Sequence, residues 1–176
     1  MKKIQCTIFA VFSVVILQAQ QYYHYTDSMQ PQATTVNGLH LWGQYEYNQV
    51  VAALGVPQSY TDEVSTDEET AGMRIQIYTY PSGSRFYFHN KHFVRFHLES
   101  SSDSFLINGV LKVGDTISKV FSVFQPSVNH YSFVTSTVDE PYLNLYVSGG
   151  GEIYIKFFYS ETTRIISKVM FYTMFW

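Results

Sequence analysis

The stretch 36–57, VNGLHLWGQYEYNQVVAALGVP, returns 71 positions further on as 107–126, INGVLKVGDTISKVFSVFQP. Asn37-Gly38 answers Asn108-Gly109, and Gly43 answers Gly114 at the same offset. Each copy then continues into a helical run that stops at a proline, Pro57 or Pro126. In the first copy Tyr47, Val50, Val51 and Leu54 recur at i, i+3, i+4 and i+7, one apolar stripe on a helix over 44–54. Gly55 stands where a helix C-cap belongs. In the second, Ile117, Val120, Phe121 and Phe124 make the stripe of a helix over 116–124, with Asp115 offered as its N-cap. An internal repeat constrains a fold more than any single motif, because two like units bury their apolar faces in like ways.

Strand-like alternation follows each helix. In the first unit the runs 73–80, 84–89 and 93–99 are separated by Pro81-Ser82-Gly83 and Asn90-Lys91. In the second they are 142–147, 152–159 and 164–175, with Gly149-Gly150-Gly151 at the first turn. Residues 60–72, with Asp62, Glu63, Asp67, Glu68 and Glu69, read as an acidic loop, and 100–104 as a Ser/Asp linker. Aromatic residues make up 18% of the chain, an excess that suits strands. The expected fold class is α+β: two tandem helix-plus-antiparallel-meander repeats, 36–104 and 105–176, forming one sheet with the helices on one face.

The segment 1–19 reads as a signal peptide. Lys2 and Lys3 precede an apolar run over 4–17 that is too short to span a bilayer, and Ala19 offers a small residue for cleavage. Polar, tyrosine-rich 20–35 then forms an extended leader. An exported, periplasmic or extracellular location follows, with no membrane-spanning segment retained. Removing 1–19 also removes Cys6, the only cysteine, so disulfides and thiolate chemistry are excluded by count. Nine Lys and Arg then face fourteen Asp and Glu, a formal charge of −5, which disfavours nucleic acid as a partner.

Alternation sorts the strands into two faces. Ile75, Ile77, Phe86, Phe88, Val94, Phe96 and Leu98 fall on one face of the first unit; Leu143, Leu145, Ile153, Ile155, Phe157, Val169 and Phe171 do so in the second. These are expected to form the core beneath the helices. The opposite face collects Gln76, His89, Phe93, His97, Tyr142, Asn144, Glu152, Phe158, Met170 and Tyr172 beside the candidate binding residues Arg74, Tyr78, Tyr80, Arg85, Tyr87, Arg95, Tyr146, Tyr154, Lys156 and Lys168. Tyr and Arg are the residue types that supply binding hot spots, and an anionic chain that gathers cations on one side presents a surface for an acidic partner.

The unit of an Asn-Gly strand-turn, a Gly-led helix ending in Ala53-Leu54-Gly55-Val56-Pro57, and a meander resembles the β-lactamase inhibitor protein family. It is also similar to the small outer-membrane assembly lipoproteins of the SmpA/OmlA type, which share the unit. The matching residues are those from Gly43 to Pro57 and, more loosely, from Gly114 to Pro126. The resemblance implies one continuous sheet whose open face, rich in polar aromatics, grips a partner protein. The inhibitor family's disulfides and the lipoproteins' lipidated cysteine have no counterpart in this chain after Cys6.

Other chemistry finds little support. His89, His92 and His97 are separated by the strand reading and lack a completing carboxylate, so no metal site is expected. Gly149-Gly150-Gly151 lacks the Lys-Ser/Thr of a phosphate loop, and no Gly-x-Ser-x-Gly elbow occurs. The expectation is a non-enzymatic binding module without a cofactor that docks a partner protein with an acidic surface. A cell-envelope assembly or structural factor and a glycan-binding module are the alternatives.

Overall fold

A computed structural model describes residues 33–66, 70–124, 131–135, 140–146 and 153–173, with the side chains of 172 and 173 excepted. The expected signal segment, the leader up to residue 32, the acidic residues 67–69, Pro126, Gly149-Gly150-Gly151, Glu152, the Tyr172 side chain and residues 174–176 lie outside the described residues.

The first Asn-Gly pair makes a tight hairpin. Strands β1 (Thr35–Val36) and β2 (Leu39–His40) pair antiparallel across it. Asn37 and Gly38 have φ of 48° and 85°, and Asn108 and Gly109 have 50° and 73°, the left-handed conformation that Asn and Gly tolerate best. The two turns clasp each other. Asn37 N donates to Leu106 O at 3.0 Å, and Asn108 N donates to Thr35 O at 2.9 Å. The side-chain carbonyls repeat the exchange: Leu106 N donates to Asn37 Oδ1 at 2.7 Å and Thr35 N to Asn108 Oδ1 at 2.8 Å. Val36 and Ile107, both fully buried, bridge at the centre.

Helix α1 (Tyr47–Leu54) and helix α2 (Ile117–Val123) bury Val50, Leu54, Ile117 and Val120. Helix α1 begins three residues later than the periodicity suggests. Residues 42–45 are used instead as a rung against residues 91–93: Trp42 N donates to Phe93 O, Phe93 N to Gly43 O, and Tyr45 N to Lys91 O. The second half makes the same three bonds, Gly114 N to Ile166 O, Ile166 N to Asp115 O, and Ile117 N to Arg164 O. These bonds set Trp42, not Gly43, opposite Gly114. Thr116, not Asp115, is the N-cap of α2.

Eight strands form one antiparallel sheet: β3 (Ser59–Val64), β4 (Arg74–Thr79), β5 (Arg85–His89), β6 (His92–Leu98), β7 (Tyr131–Val134), β8 (Tyr142–Tyr146), β9 (Ile153–Tyr159) and β10 (Ile166–Thr173), in the order β3-β4-β5-β6-β10-β9-β8-β7. Each half is therefore a helix followed by a four-stranded meander rather than a three-stranded one. Strand β3 occupies the start of the expected acidic loop. Its Asp62 pairs with Arg74, and its Tyr60 ring lies 4.9 Å from Tyr47 and 4.8 Å from Tyr78. Charged residues on an edge strand discourage pairing with another chain.

The core lies on the helix side. In the second half Leu143, Leu145, Ile155, Phe157, Val169 and Phe171 are buried there as alternation predicts. Strand β4 is inverted relative to expectation. Gln76, Tyr78 and Tyr80 point into the core opposite Phe88 and Phe86, and Ile75 and Ile77 face outward with His89 and Tyr87. A strand's two faces exchange with a one-residue shift, and here the larger rings win. Tyr78 packs on Phe88 and Tyr47, and the Tyr80 hydroxyl donates to Gly55 O at 3.0 Å. Gln76 accepts from Lys91 N through Oε1 and donates to the Tyr60 hydroxyl through Nε2. Phe93 is a second correction: a bulge at Val94 turns both Phe93 and Phe96 inward. Strand β10 has the equivalent bulge at Ser167.

Replacing Asn37 by Ala removes a bond to a backbone donor and leaves a β-carbon-only residue at positive φ. We expect a loss of about 1–3 kcal/mol in urea unfolding. Because both asparagines serve one clasp, Asn37→Ala and Asn108→Ala are expected to couple, with a double-mutant interaction energy of at least about 0.5 kcal/mol; additive losses would show the clasp is not a unit.

Candidate functional site

Directly paired residues share a face of the sheet, so the register assembles the side opposite the helices. One row crosses all eight strands: Ser59, Thr79, Arg85, His97, Met170, Lys156, Asn144 and Ser132. Beside it run Ile77, Tyr87 and Arg95 in the first half, and Lys168, Phe158 and Tyr142 in the second. Tyr154 pairs with Tyr146. Glu63, on edge strand β3, is an acid on the same side, paired to Ile75.

Seven of the ten candidate binding residues lie on this face: Arg85, Tyr87, Arg95, Tyr146, Tyr154, Lys156 and Lys168. Three do not. Tyr78 and Tyr80 are core residues, 1% and 5% exposed, and burial pushes both phenols well above their ordinary pKa. Arg74 sits on the helix side at the end of β4, in its ion pair with Asp62; hydrogen bonding from Arg74 holds the Asp62 carboxyl below its ordinary range. The polar alternation of β4 misplaced all three. Ile75, Ile77 and Thr79 take their places on the open face.

Cations and rings are interleaved here. The Arg95 guanidinium lies 5.6 Å from the centre of the Tyr87 ring, and the Lys168 ammonium 4.6 Å from that of Phe158. These are equivalent positions, each cation following its bulge and each ring directly across from it. Lys156 lies 4.5 Å from the Tyr142 ring and 5.2 Å from Tyr154. Cations held over aromatic faces cover the hydrocarbon and keep the charge outward. Arg85 and Lys168 make no ion pair with a described acid; the ion pairs among the described residues are Arg74–Asp62, Lys91–Glu46 and Lys119–Asp115.

His97 stands at the centre of the row. Its ring is 5.3 Å from Tyr87, and its Nε2 is buried without a partner among the described residues. Burial, then the charges of Arg95, Arg85 and Lys168, lower its pKa to about 4. His89 is lowered for the same first reason and by Arg95. His89 and His92, expected apart, are cross-strand partners at the hairpin end.

At that end the face deepens into a cleft of about 380 Å³ lined by Trp42, Met73, His89, Asn90 and His92. Sequence reasoning missed it, because Trp42 lies between the Asn-Gly strand-turn and the helix expected from 44, and Met73 was read only as a strand start. No described helix is long and apolar enough to cross a membrane. Comparisons with protein-family models, with curated proteins and with solved structures find no match.

A histidine whose pKa falls on folding resists protonation only while folded. Its stabilising contribution is full above about pH 6.5 and is lost as the pH falls towards about 4. The midpoint of thermal unfolding is therefore expected to drop between pH 7 and pH 4.5, and His97→Gln to flatten that drop. An unchanged pH profile would show that His97 titrates as an exposed imidazole.

Proposed function

We propose that the protein is a non-enzymatic, exported binding module whose open sheet face docks a partner protein with an acidic surface. The observation that carries this reading is the array of Arg95, Lys156 and Lys168 over Tyr87, Tyr142, Tyr154 and Phe158, with Arg85 in the same row as Lys156, on the side away from both helices. Four of the nine cations outside 1–19 collect there, in a chain that is anionic overall. Rigid aromatic side chains give contact area at little entropic cost, and the charges steer an acidic surface and fix its register.

We infer further that the two halves are tandem repeats. The reciprocal Asn37/Asn108 clasp, the matched rungs and the matched bulges support this. The cations then fall into equivalent pairs, Arg85 with Lys156 and Arg95 with Lys168. Duplication of a helix-and-meander unit across one sheet is the arrangement that the resemblance to the β-lactamase inhibitor proteins implies, and that resemblance supports docking on the open face.

Capture from the envelope and secreted fractions of the producing cell tests the reading, with the intact protein compared with Arg85→Glu/Lys156→Glu, shown to be folded by circular dichroism. A protein retained by the parent, released by roughly 0.5 M salt and lost by the variant is expected, since exposed charge contacts are screened over a few ångströms at such ionic strength. Equal recovery by both would contradict the reading. Retention that survives salt and yields to oligosaccharide would transfer the face to a glycan.

A further inference from the structure

We propose that the docked partner is a two-fold symmetric homodimer with an acidic surface, seated with its axis over His97 and Met170 so that each copy meets one half of the open face. The assignment rests on that face being the docking surface. The first observation is the symmetry of the sheet. Four strands lie on each side of the β6–β10 joint, and those two strands run antiparallel. Antiparallel neighbours are related by a two-fold axis perpendicular to the sheet, and the cross-strand pair His97–Met170 stands at it. Outward along the row, Arg85 beside His97 answers Lys156 beside Met170, Thr79 answers Asn144, and Ser59 answers Ser132. Arg95 answers Lys168, each after its bulge, with Tyr87 and Phe158 across from them. Strand spacing and rise put Arg85 about 14 Å from Lys156 at the backbone, and Arg95 about 14 Å from Lys168 on the other diagonal. The two cations within each half are about 8 Å apart.

The second observation is that charge is repeated on this face and not on the helix side. With the helices aligned from their first residues, Asn48, Gln49 and Ala52 stand against Ser118, Lys119 and Ser122. A neutral amide there answers a cation, and that cation is held by Asp115. On the open face each cation answers a cation although the residue has changed, Arg85 to Lys156 and Arg95 to Lys168. Folding asks for neither charge, since solvent-facing charges add little to stability. A ligand that asks the same of both halves accounts for the repetition. Its surface must carry one acidic pattern twice about a two-fold axis, which is what a homodimer presents around its own axis. The departure at the centre, His97 against Met170, falls on the axis, where an occupant meets both residues together.

The first probe is the peptide acetyl-Asp-Asp-Glu-amide, titrated into the ¹⁵N-labelled protein. Two equivalents are expected to bind, moving the Tyr87 and Phe158 backbone signals with affinities within about threefold of each other. Movement in one half alone, or in neither, would overturn the proposal. Lys168→Glu is expected to silence Phe158 and spare Tyr87, and loss of both would reveal a single shared site. Two such peptides joined C-terminus to C-terminus by a flexible spacer are expected to bind one-to-one and at least about tenfold more tightly than one; equal affinity would count against the assignment. The titration uses the unaltered chain, so it decides even where a variant fails to fold. The second measurement is native mass spectrometry of the complex captured from the producing cell. Two partner copies to one copy of this chain are expected, and a one-to-one complex would overturn the proposal. The two readings separate cleanly. Capture undisturbed by Arg85→Glu/Lys156→Glu, or capture of no protein, contradicts the docking face and this assignment with it. Capture lost by that variant, from a one-to-one complex, contradicts this assignment alone.

Discussion

The structure depends on two asparagines that hold one another's turns. Asn37 and Asn108 each take a left-handed conformation, donate a backbone N–H to the other half, and accept one through the side-chain carbonyl. Asparagine is suited to this because it tolerates positive φ and carries an acceptor on a short stem. The four bonds close around buried Val36 and Ile107. They join the starts of two halves that otherwise meet where β6 pairs with β10. A sheet built from two meanders needs both joints for its outer surface to act as one face. Within the sheet itself the halves are joined through three residue pairs of β6 and β10, backed by the shared core.

Much of this was legible in the chain. The Asn-Gly pairs, the helical stripes and the alternation of β8, of β9 and of β10 beyond Ser167 each state a local preference that the fold respects. The failures have physical causes. Strand β4 alternates Ile with Gln and Tyr, and ranking by hydropathy turns Ile inward. The fold turns Tyr78 and Tyr80 inward because their rings fill more space and their neighbours satisfy them. Bulges at Val94 and Ser167 shift the phase of β6 and β10, and alternation carries no record of them. Strand β3 was hidden by its charges, which belong to an edge strand. The register of the halves was misjudged by one residue between the Asn-Gly turn and the helix, and that residue separates Gly43 from the place Trp42 takes.

The candidate face was read in part. In its second half Tyr142, Asn144, Tyr146, Tyr154, Lys156, Phe158, Lys168 and Met170 were placed correctly, and Ser132 on β7 was missed. In the first half Arg85, Tyr87 and Arg95 were placed correctly, and Arg74, Tyr78 and Tyr80, in or next to β4, were not. What remains is more ordered than a scatter of tyrosines and cations. Arg95 over Tyr87 and Lys168 over Phe158 occupy equivalent places, so the face carries its charge pattern twice. The cleft breaks that equivalence. Trp42, which lines it, stands where the other half has Gly114.

Site-specific photo-crosslinking in the producing cell tests docking on this face most directly. A benzoylphenylalanine at Phe158 or Met170 reports the open side, and one at Val51 on helix α1 reports the other. The account predicts an adduct with a protein from the open-side positions and none from Val51. Adducts from Val51 alone would contradict it and would move the binding surface to the helices.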